Sequence, residues 1–435
     1  MNLGDAKTSE ARFEAYIADL AGVVGHKDRK EPLRDYSRGL LTAAGRKSVE
    51  PLATAVAPAG VAAKHQSLLH FVGQSEWSDT DVLSKVREKV QPIMERHGPI
   101  EASIIDDTGF PKKGKHSVGV ARQYCGQLGK QDNCQSAVSL SITNHHASLP
   151  IGYRLYLPEE WAKDKERRKK AGVPAEIKFQ TKPKIAVDLI TQALAQGVSL
   201  GVVLADAGYG VNTAFREDVS ALGLIYAVGI NPTTSVWAPG MAPLPPKKWR
   251  GNGRPPKNLQ RNAKHKSLSV KALAQSVPAS DWHTLTWREG VDKDLTSRFA
   301  RLRVRAAHND RVLDKPRSEE WLVIEWPEDE KEPAKYWLST LPEDTPFDLM
   351  IDTIKLRWRI ERDYQELKQE VGLGHYEGRS WRGFHHHATL CIAAYGFLIS
   401  EQETFPPLLF DVTKGKFKKV TLPKNYRPRG SPASS

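Results

Sequence analysis

Two short apolar runs in the middle of the chain each end in an aspartate, and this pattern limits the possible folds more than any other feature. Residues 102–105 (ASII) lead into Asp106 and Asp107, and residues 201–205 (GVVLA) lead into Asp206. A short, uninterrupted apolar run is typical of a buried strand with helices on both faces of its sheet. Each run is therefore predicted to place a carboxylate at the carboxyl end of a strand.

Strand and helix patterns alternate around these two runs. Further strands are predicted at 138–143, 149–157, 224–230 and 336–340, and helices at 181–196 and 215–221. Apolar residues recur with a period of about two in the strands and about 3.6 in the helices. The alternation predicts an α/β fold built on a mixed sheet.

Changes in composition predict five segments. They are a helical segment at 1–98, the first part of the α/β core at 99–230, a β-rich basic insertion at 231–333, the second part of the core at 334–400, and a flexible basic tail at 401–435. The first segment fits a DNA-binding helical domain or a packing domain with a basic surface. The tryptophans of the insertion fit core packing or stacking on DNA bases.

A charged helix is predicted within residues 353–382, which contain no Gly or Pro before Gly372. Arg357 and Glu361 are four residues apart, and Lys368 follows Glu361 by seven, so all three are predicted on nearly one helix face. One interpretation is a solvated stripe of ion pairs. The other is a metal-binding carboxylate beside cations that contact phosphate, and the helix alone leaves both open.

The charge balance favours a polyanionic partner. The net charge is +13 and the isoelectric point is near 9.4, and such an excess favours nucleic acid through counterion release. The three cysteines lack the spacing of a zinc site or a disulfide framework. The chain begins without a signal-peptide pattern, and no stretch reaches the length of a membrane span. We therefore expect a cytoplasmic protein without a membrane partner.

Three acids from distant parts of the chain, Asp107 (or Asp106), Asp206 and Glu361, form a candidate metal site. Mg²⁺ prefers carboxylate oxygens and keeps positions for water and phosphate. Two such ions activate a nucleophile and stabilise the leaving oxygen in phosphoryl transfer. Paired acids also serve glycoside hydrolysis, but the basic charge and the cations near Glu361 favour a phosphodiester. The histidines at 385–387 are predicted to form a basic face beside phosphate.

Several motifs together resemble the DDE transposases of bacterial insertion sequences. They are IIDDTGFPKKG, RQYCGQLGKQDNCQ, VLADAGYG and RWRIERDYQELKQEVGL. The spacing Arg357-x3-Glu361-x6-Lys368 matches the Y-x2-R-x3-E-x6-K signature of one class of these enzymes, with Ile354 at the tyrosine position. The resemblance extends over roughly residues 35–400, and the motifs are specific in combination rather than singly.

The resemblance implies an RNase H-like fold with a β-rich insertion before the last catalytic glutamate. It implies Asp107, Asp206 and Glu361 as catalytic metal ligands, with Asp106 as second choice for the first position. Two Mg²⁺ ions are implied, for which Mn²⁺ can substitute. Arg357 and Lys368 are implied to contact terminal DNA phosphates. Trp337 matches by position a tryptophan that stacks on a flipped base, and core packing is its alternative role.

The predicted function is metal-dependent cleavage and strand transfer at the inverted ends of an insertion sequence. The predicted partners are double-stranded DNA, comprising inverted repeats and target, and a second copy of the chain in a homodimer on DNA. The predicted location is the bacterial cytoplasm, in association with the nucleoid. Two alternatives remain at this stage: a catalytically inactive DNA-binding regulator derived from a transposase, and a metal nuclease that never joins strands.

Overall fold

The computed structural model describes residues 8–251, 254, 256–288, 295–405, 408–411 and 416–419. Within these residues, no helix combines the length and the apolar character needed to cross a membrane.

Helices and strands alternate along the chain after an initial helical stretch. The helices are α1 Ser9–Ala21, α2 Lys30–Thr42, α3 Val49–Val56, α4 Val61–Gly73, α5 Asp79–Met94, α6 Glu159–Lys163, α7 Lys165–Ala171, α8 Lys182–Ala195, α9 Ala207–Gly210, α10 Thr213–Ala221, α11 Val270–Ala274, α12 Phe347–Lys355, α13 Arg359–Gln369 and α14 Trp381–Thr404. The strands are β1 Ala102–Pro111, β2 Ala121–Cys125, β3 Lys130–Thr143, β4 Ser148–Leu155, β5 Val202–Ala205, β6 Tyr226–Ile230, β7 Ser235–Trp237, β8 Leu268–Ser269, β9 His283–Arg288, β10 Leu295–Ala306, β11 Glu320–Pro327, β12 Lys335–Ser339, β13 Leu408–Asp411 and β14 Lys416–Lys419.

The chain folds into two compact units, which are described separately. Unit 1 comprises Met1–Leu200 and Arg357–Leu422, and the described part of unit 2 is Gly201–Leu356. Unit 2 contains most of the predicted insertion together with β5 and β6. The two units thus group residues differently from the five predicted segments, whose boundaries stay predictions.

The long helix α14 forms the centre of the helical part of unit 1. It is buried along most of its length and contacts α2, α4 and α5. The hydroxyl of Tyr16 donates to the Ala393 carbonyl at 2.9 Å. Arg12 forms two hydrogen bonds of 2.6 Å with the Glu401 carboxylate. Burial on all sides explains the apolar run in this helix.

The histidines at 385–387 do not form the predicted basic face. They lie in the first turns of α14, where His386 and His387 are 2% and 1% exposed. Burial lowers the pKa of His386 to about 3 and that of His387 to about 4. His387 Nε2 donates to the Gly372 carbonyl at 3.1 Å, and its Nδ1 accepts from the Tyr36 hydroxyl at 2.8 Å. These rings are neutral packing groups, because a buried imidazolium lacks the solvation of a charged group.

The sheet of unit 1 is antiparallel. The long strand β3 pairs with β1 along one edge and with β2 and β4 along the other. The helix α8 contacts β3 and β4, and α13 contacts β1 and β4. The apolar run predicted that Asp106 and Asp107 lie at the end of β1. Strand β1 instead continues to Pro111, so both aspartates lie within it. The reason is β3, whose Ser139 and Val138 pair with these two aspartates.

The sheet of unit 2 is mixed. Strands β5 and β6 are parallel, and β6, β12, β11 and β10 follow as antiparallel neighbours, with β9 and β7 pairing with β10. The strands of the predicted insertion therefore extend this sheet. Together the helices and mixed sheet confirm the predicted α/β class and are consistent with the RNase H-like architecture that the resemblance implies.

Two further predictions differ from the structure. The helix predicted within 353–382 is interrupted by a 3-10 turn at Leu356–Trp358 and ends at Gln369, so Arg357 lies in that turn and Glu361 and Lys368 lie in α13. In the tail that was predicted to be flexible, residues 401–404 belong to α14, and β13 and β14 pair with each other. Residues 406–407, 412–415 and 420–435 of that tail lie outside the described residues.

Candidate active site

The two neighbouring aspartates of β1 contact different partners in unit 1. Asp107 Oδ2 accepts from Lys182 Nζ at 2.6 Å and from Ser136 Oγ at 3.1 Å. Asp106 Oδ2 instead accepts from Arg357 Nη1 at 3.0 Å. Successive side chains of a strand point to opposite faces of the sheet. Asp107 therefore belongs to the face beside α8, and Asp106 to the face beside the turn that precedes α13.

Arg357 joins Asp106 to the predicted third acid. Its Nη2 lies 3.5 Å from Glu361 Oε1, one helical turn further along the chain. The Asp106 side chain is 16% exposed and that of Glu361 is 71% exposed. One guanidinium thus contacts two carboxylates from positions far apart in sequence. Tyr364 supports the same face, since its hydroxyl is 2.8 Å from that of Ser139, the partner of Asp106 in β3.

Lys368 contacts the strand that carries the aspartates. Its Nζ donates to the Gly109 carbonyl at 2.8 Å and to Gln127 Oε1 at 3.1 Å, and it lies 4.9 Å from the centre of the Phe110 ring. Burial lowers the pKa of Lys368 to about 8. Gly109 belongs to the DDTG motif and allows close packing, because a Cβ there would lie 2.8 Å from Cys125 Sγ.

Asp206 belongs to unit 2. It follows β5 directly and caps α9, with its Oδ1 accepting from the Gly208 amide at 2.9 Å. The DAGYG motif forms this cap and the short helix itself. A Cβ on Gly210 would overlap the Gly229 carbonyl oxygen, so the close packing of α9 on β6 requires glycine there. The position of Asp206 at the carboxyl end of a strand is as the sequence predicted.

Trp337 lies in β12 of unit 2, between Gly229 of β6 and Val323 of β11. Its side chain is half-buried. The ammonium of Lys355 lies 5.4 Å from the centre of its ring and 2.7 Å from Glu325 Oε2. Trp337 therefore has neighbours in the unit itself and some exposed surface. Base stacking and core packing both stay predictions for it.

Sequence reasoning missed Lys182, Ser136 and Tyr364. Lys182 is the first residue of α8 and lies 75 positions after Asp107. No local pattern relates a helix-initial lysine to a strand aspartate at such a separation. Only the packing of α8 against the sheet brings the two charges together.

The carboxylates of unit 1 suit a hard divalent cation. Asp106 and Asp107 are part-buried oxygen donors, and each contacts a cationic side chain. Oxygen ligands of this kind match Mg²⁺, Mn²⁺ and Ca²⁺ rather than softer ions. The residues present therefore fit the binding of such an ion.

Carboxylates lie on β1 and α13 of unit 1, and a further carboxylate follows β5 in unit 2. Carboxylates are the side chains that metal-dependent phosphodiesterases use to bind their ions. Residues 19–294 match the family described as DDE superfamily endonuclease. The match covers more than half of the chain, so this protein belongs to the DDE endonuclease superfamily. The matched residues include Asp106, Asp107 and Asp206 and end before Glu361. Members of this superfamily generally use divalent metal ions.

A curated relative gives a narrower comparison. The "Probable transposase for insertion sequence element IS701" of Microchaete diplosiphon is 36% identical over 166 residues. The aligned part is 38% of this chain and 40% of that protein. The similarity thus spans less than half of either chain.

Proposed function

We propose that this protein is the transposase of an insertion sequence. It binds the inverted ends of its element, hydrolyses the 3′ phosphodiester bonds and joins the freed 3′-OH groups to target DNA. Membership of the DDE endonuclease superfamily and the name of the curated relative support this proposal. The observation that carries it is the contact of one arginine, Arg357, with both Asp106 of β1 and Glu361 of α13.

The proposed metal ligands are Asp206, Glu361 and one aspartate of the Asp106–Asp107 pair. The sequence resemblance assigns Asp107, whereas the shared contact with Arg357 favours Asp106. The proposed cofactor is Mg²⁺, bound as two ions and replaceable by Mn²⁺. When bound, these ions activate the attacking water or 3′-OH and stabilise the leaving oxygen.

The cationic side chains of the site hold the acids in place before DNA binds. Lys182 and Arg357 offset the negative charge of Asp107 and Asp106, which lowers their mutual repulsion. Arg357 and Lys368 are proposed to contact phosphates of the DNA end. Arg357 contacts Asp106 and Glu361, Lys368 contacts the Gly109 carbonyl in the strand that carries the aspartates, and both side chains can carry positive charge. Trp337 is proposed to stack on a base at the cleavage site.

The proposed partners follow from the reaction and from the charge. The net charge of +13 suits double-stranded DNA, as inverted repeats and as target. Bringing two element ends together calls for two active sites, which we propose come from a homodimer assembled on DNA. The proposed location is the bacterial cytoplasm, in association with the nucleoid.

The decisive experiment compares nicking and binding of end-containing DNA by the wild-type protein and four variants, Asp106→Asn, Asp107→Asn, Asp206→Asn and Glu361→Gln. Loss of a metal ligand should abolish Mg²⁺-dependent nicking, a fall of at least about 10³-fold, because the metal supplies most of the charge stabilisation. End binding in a gel-shift assay should be retained. If only one of Asp106→Asn and Asp107→Asn loses nicking, the aspartate replaced in that variant is the metal ligand.

Glu370→Gln is the matched control, since Glu370 is an exposed acid that follows α13 directly. It should nick at the wild-type rate. Normal nicking by Glu361→Gln would contradict the proposal. A wild-type protein that binds ends but never nicks would be a DNA-binding regulator, and one that nicks without strand transfer would be a plain nuclease.

A further inference from the structure

Two histidines and a glutamate outside the proposed active site converge on one surface of unit 1. His97 follows α5, His146 lies in the turn between β3 and β4, and Glu403 lies near the end of α14. One ligand atom from each of the three lies within 4.8 Å of the other two. The His97 and His146 rings are 5.1 Å apart, centre to centre, and His97 Nε2 is 3.6 Å from Glu403 Oε2.

A buried amide holds the two histidine-bearing segments together. Asn144 is fully buried, and its Nδ2 donates to the carbonyls of Met94 at 3.1 Å and Gly98 at 2.9 Å, on either side of His97. Its Oδ1 accepts from the amides of His146 and Ala147, each at 2.9 Å. The Asn144 side chain thus holds both backbone segments in place. A ligand bound between them would therefore cause a smaller loss of conformational entropy.

The third segment contacts the first through His97, and Arg359 holds the β3–β4 turn. His97 Nε2 lies 3.3 Å from the carbonyl oxygen of Glu403. Arg359, itself buried, donates to the carbonyl of His146 at 3.1 Å and also to that of His145. The positive charge of Arg359 opposes a bound cation, and the carboxylates of Asp363 and Glu403 offset it in part.

Two of the three residues offer ligand atoms that make no hydrogen bond among the described residues. The Glu403 side chain is only 10% exposed, and among the described residues its carboxylate accepts no hydrogen bond. Its Oε2 lies 3.6 Å from His97 Nε2, and the charge of Arg359 also acts on it. The ring of His146 is exposed, and among the described residues its nitrogens have no hydrogen-bond partner. A cavity of about 30 Å³ opens between His146 and Glu403. A largely buried carboxylate that accepts no hydrogen bond and lies beside two imidazoles is an arrangement that a cation would complete.

We propose that His97, His146 and Glu403 bind a divalent transition-metal ion, with Zn²⁺ as the best match. Two imidazoles and a carboxylate are typical Zn²⁺ ligands, and a water completes the tetrahedron. Zinc–ligand bonds of about 2.1 Å place tetrahedral ligand atoms about 3.4 Å apart, so the ion would draw together atoms that now lie within 4.8 Å of one another. The ion would join the end of α5, the β3–β4 turn and the end of α14. The proposal of this zinc site does not depend on the proposed function.

Zinc content tests this site directly. The full-length protein is stripped with chelator, dialysed against a small excess of Zn²⁺ with millimolar Mg²⁺ to occupy the acids, and analysed for bound metal. We expect one Zn²⁺ per chain in the wild type, and at least about tenfold weaker binding in His146→Asn and in Glu403→Gln, because each loses one ligand. Zn²⁺ should also raise the Tm of the wild type by roughly 5 °C.

His26→Asn is the matched control, because His26 is an exposed histidine that also pairs with a carboxylate, Asp28, at 3.3 Å. It should bind Zn²⁺ like the wild type. Equal zinc content in the wild type and in both ligand variants would overturn the proposal. A wild type that binds no zinc would overturn it as well, since the three side chains would then be neighbours only. Should a variant fail to fold, the visible spectrum of the Co²⁺-loaded wild type decides: strong tetrahedral bands support the site, and weak six-coordinate bands overturn it.

Discussion

At the scale of single residues, Arg357 is the most informative side chain of unit 1. It lies 3.0 Å from Asp106 and 3.5 Å from Glu361, and the latter is largely exposed. Exposed ion pairs contribute little to stability, about 0–1 kcal/mol. The arrangement therefore matters for position rather than for folding: it keeps the carboxylate of the strand and the carboxylate of the helix beside one cation.

Lys368 provides a prediction about pH. Its pKa is lowered to about 8 by burial, so its ammonium is present below that pH and is lost as the pH rises through it. Under subsaturating DNA, the nicking rate should fall above pH 8, because the free protein loses a phosphate-binding charge. Lys368→Arg should move this fall to higher pH, since arginine stays protonated. A profile that is identical in both proteins would exclude Lys368 as the titrating group.

At the scale of elements, the short helix α9 shows how a motif combines packing with a functional group. Asp206 caps α9, and the glycines that follow it allow the helix to lie directly on β6. The motif thus places a carboxylate at the end of a strand by using a very close contact between backbones. The two glycines differ in what surrounds them, and this difference is testable.

Gly210→Ala should destabilise unit 2, whereas Gly208→Ala should mainly reduce activity. A Cβ at 210 would overlap the Gly229 carbonyl, a backbone atom that cannot move alone, and we expect a loss of about 1–3 kcal/mol in the free energy of unfolding. A Cβ at 208 would lie 3.0 Å from Asp206 Oδ1, a side-chain atom that can turn away. Thermal denaturation and nicking assays on both variants check this, and equal stability losses would contradict it.

Helix α12 is tied to the sheet of unit 2 by a buried ion pair. Lys355 Nζ is 2.7 Å from Glu325 Oε2, and the two side chains are 10% and 1% exposed. Lys355→Met should lower the free energy of unfolding by about 3 kcal/mol, because it leaves the Glu325 carboxylate without its closest cation. Lys335→Met is the control: Lys335 is 56% exposed and 3.8 Å from the same carboxylate, so its loss should cost less than about 1 kcal/mol. Denaturant titration measures both, and similar losses would refute this account.

At the scale of the whole molecule, the excess of basic residues is the dominant property. The chain has 64 Lys and Arg against 51 Asp and Glu. Many of the acids are paired with cations inside each unit, including Asp107 with Lys182 and Glu325 with Lys355. A basic chain of this kind is expected to bind any DNA by contact with phosphates before it recognises a particular sequence.

This property predicts a strong dependence of DNA binding on salt. Raising salt from about 50 mM to about 200 mM should weaken binding about 10³-fold or more, the range typical of six or more neutralised phosphates. Glu361→Gln should show the same slope, because it removes no cation. Fluorescence anisotropy with labelled DNA measures both slopes, and affinity that is insensitive to salt would argue against a phosphate-dominated interface.

Much of the fold follows from local patterns. Residues 1–98 were predicted to be helical and contain α1–α5, and the run before Asp206 predicted β5, because periodicity and burial are properties of short segments. The prediction failed where a partner strand or helix decided the outcome. Strand β1 extends past Asp107 because β3 pairs with it, and the histidines at 385–387 are neutral because α14 is enclosed.

The sequence by itself determined the class of fold, the basic character and the acids that can bind metal, since each depends on residue type and short-range spacing. Tertiary structure alone decided which charges meet. It placed Lys182 beside Asp107 and Arg357 beside Asp106. It also brought together His97, His146 and Glu403 from three distant segments. Ion pairs and metal ligands act over a few ångströms, and packing brings residues within that range without any local signal in the chain.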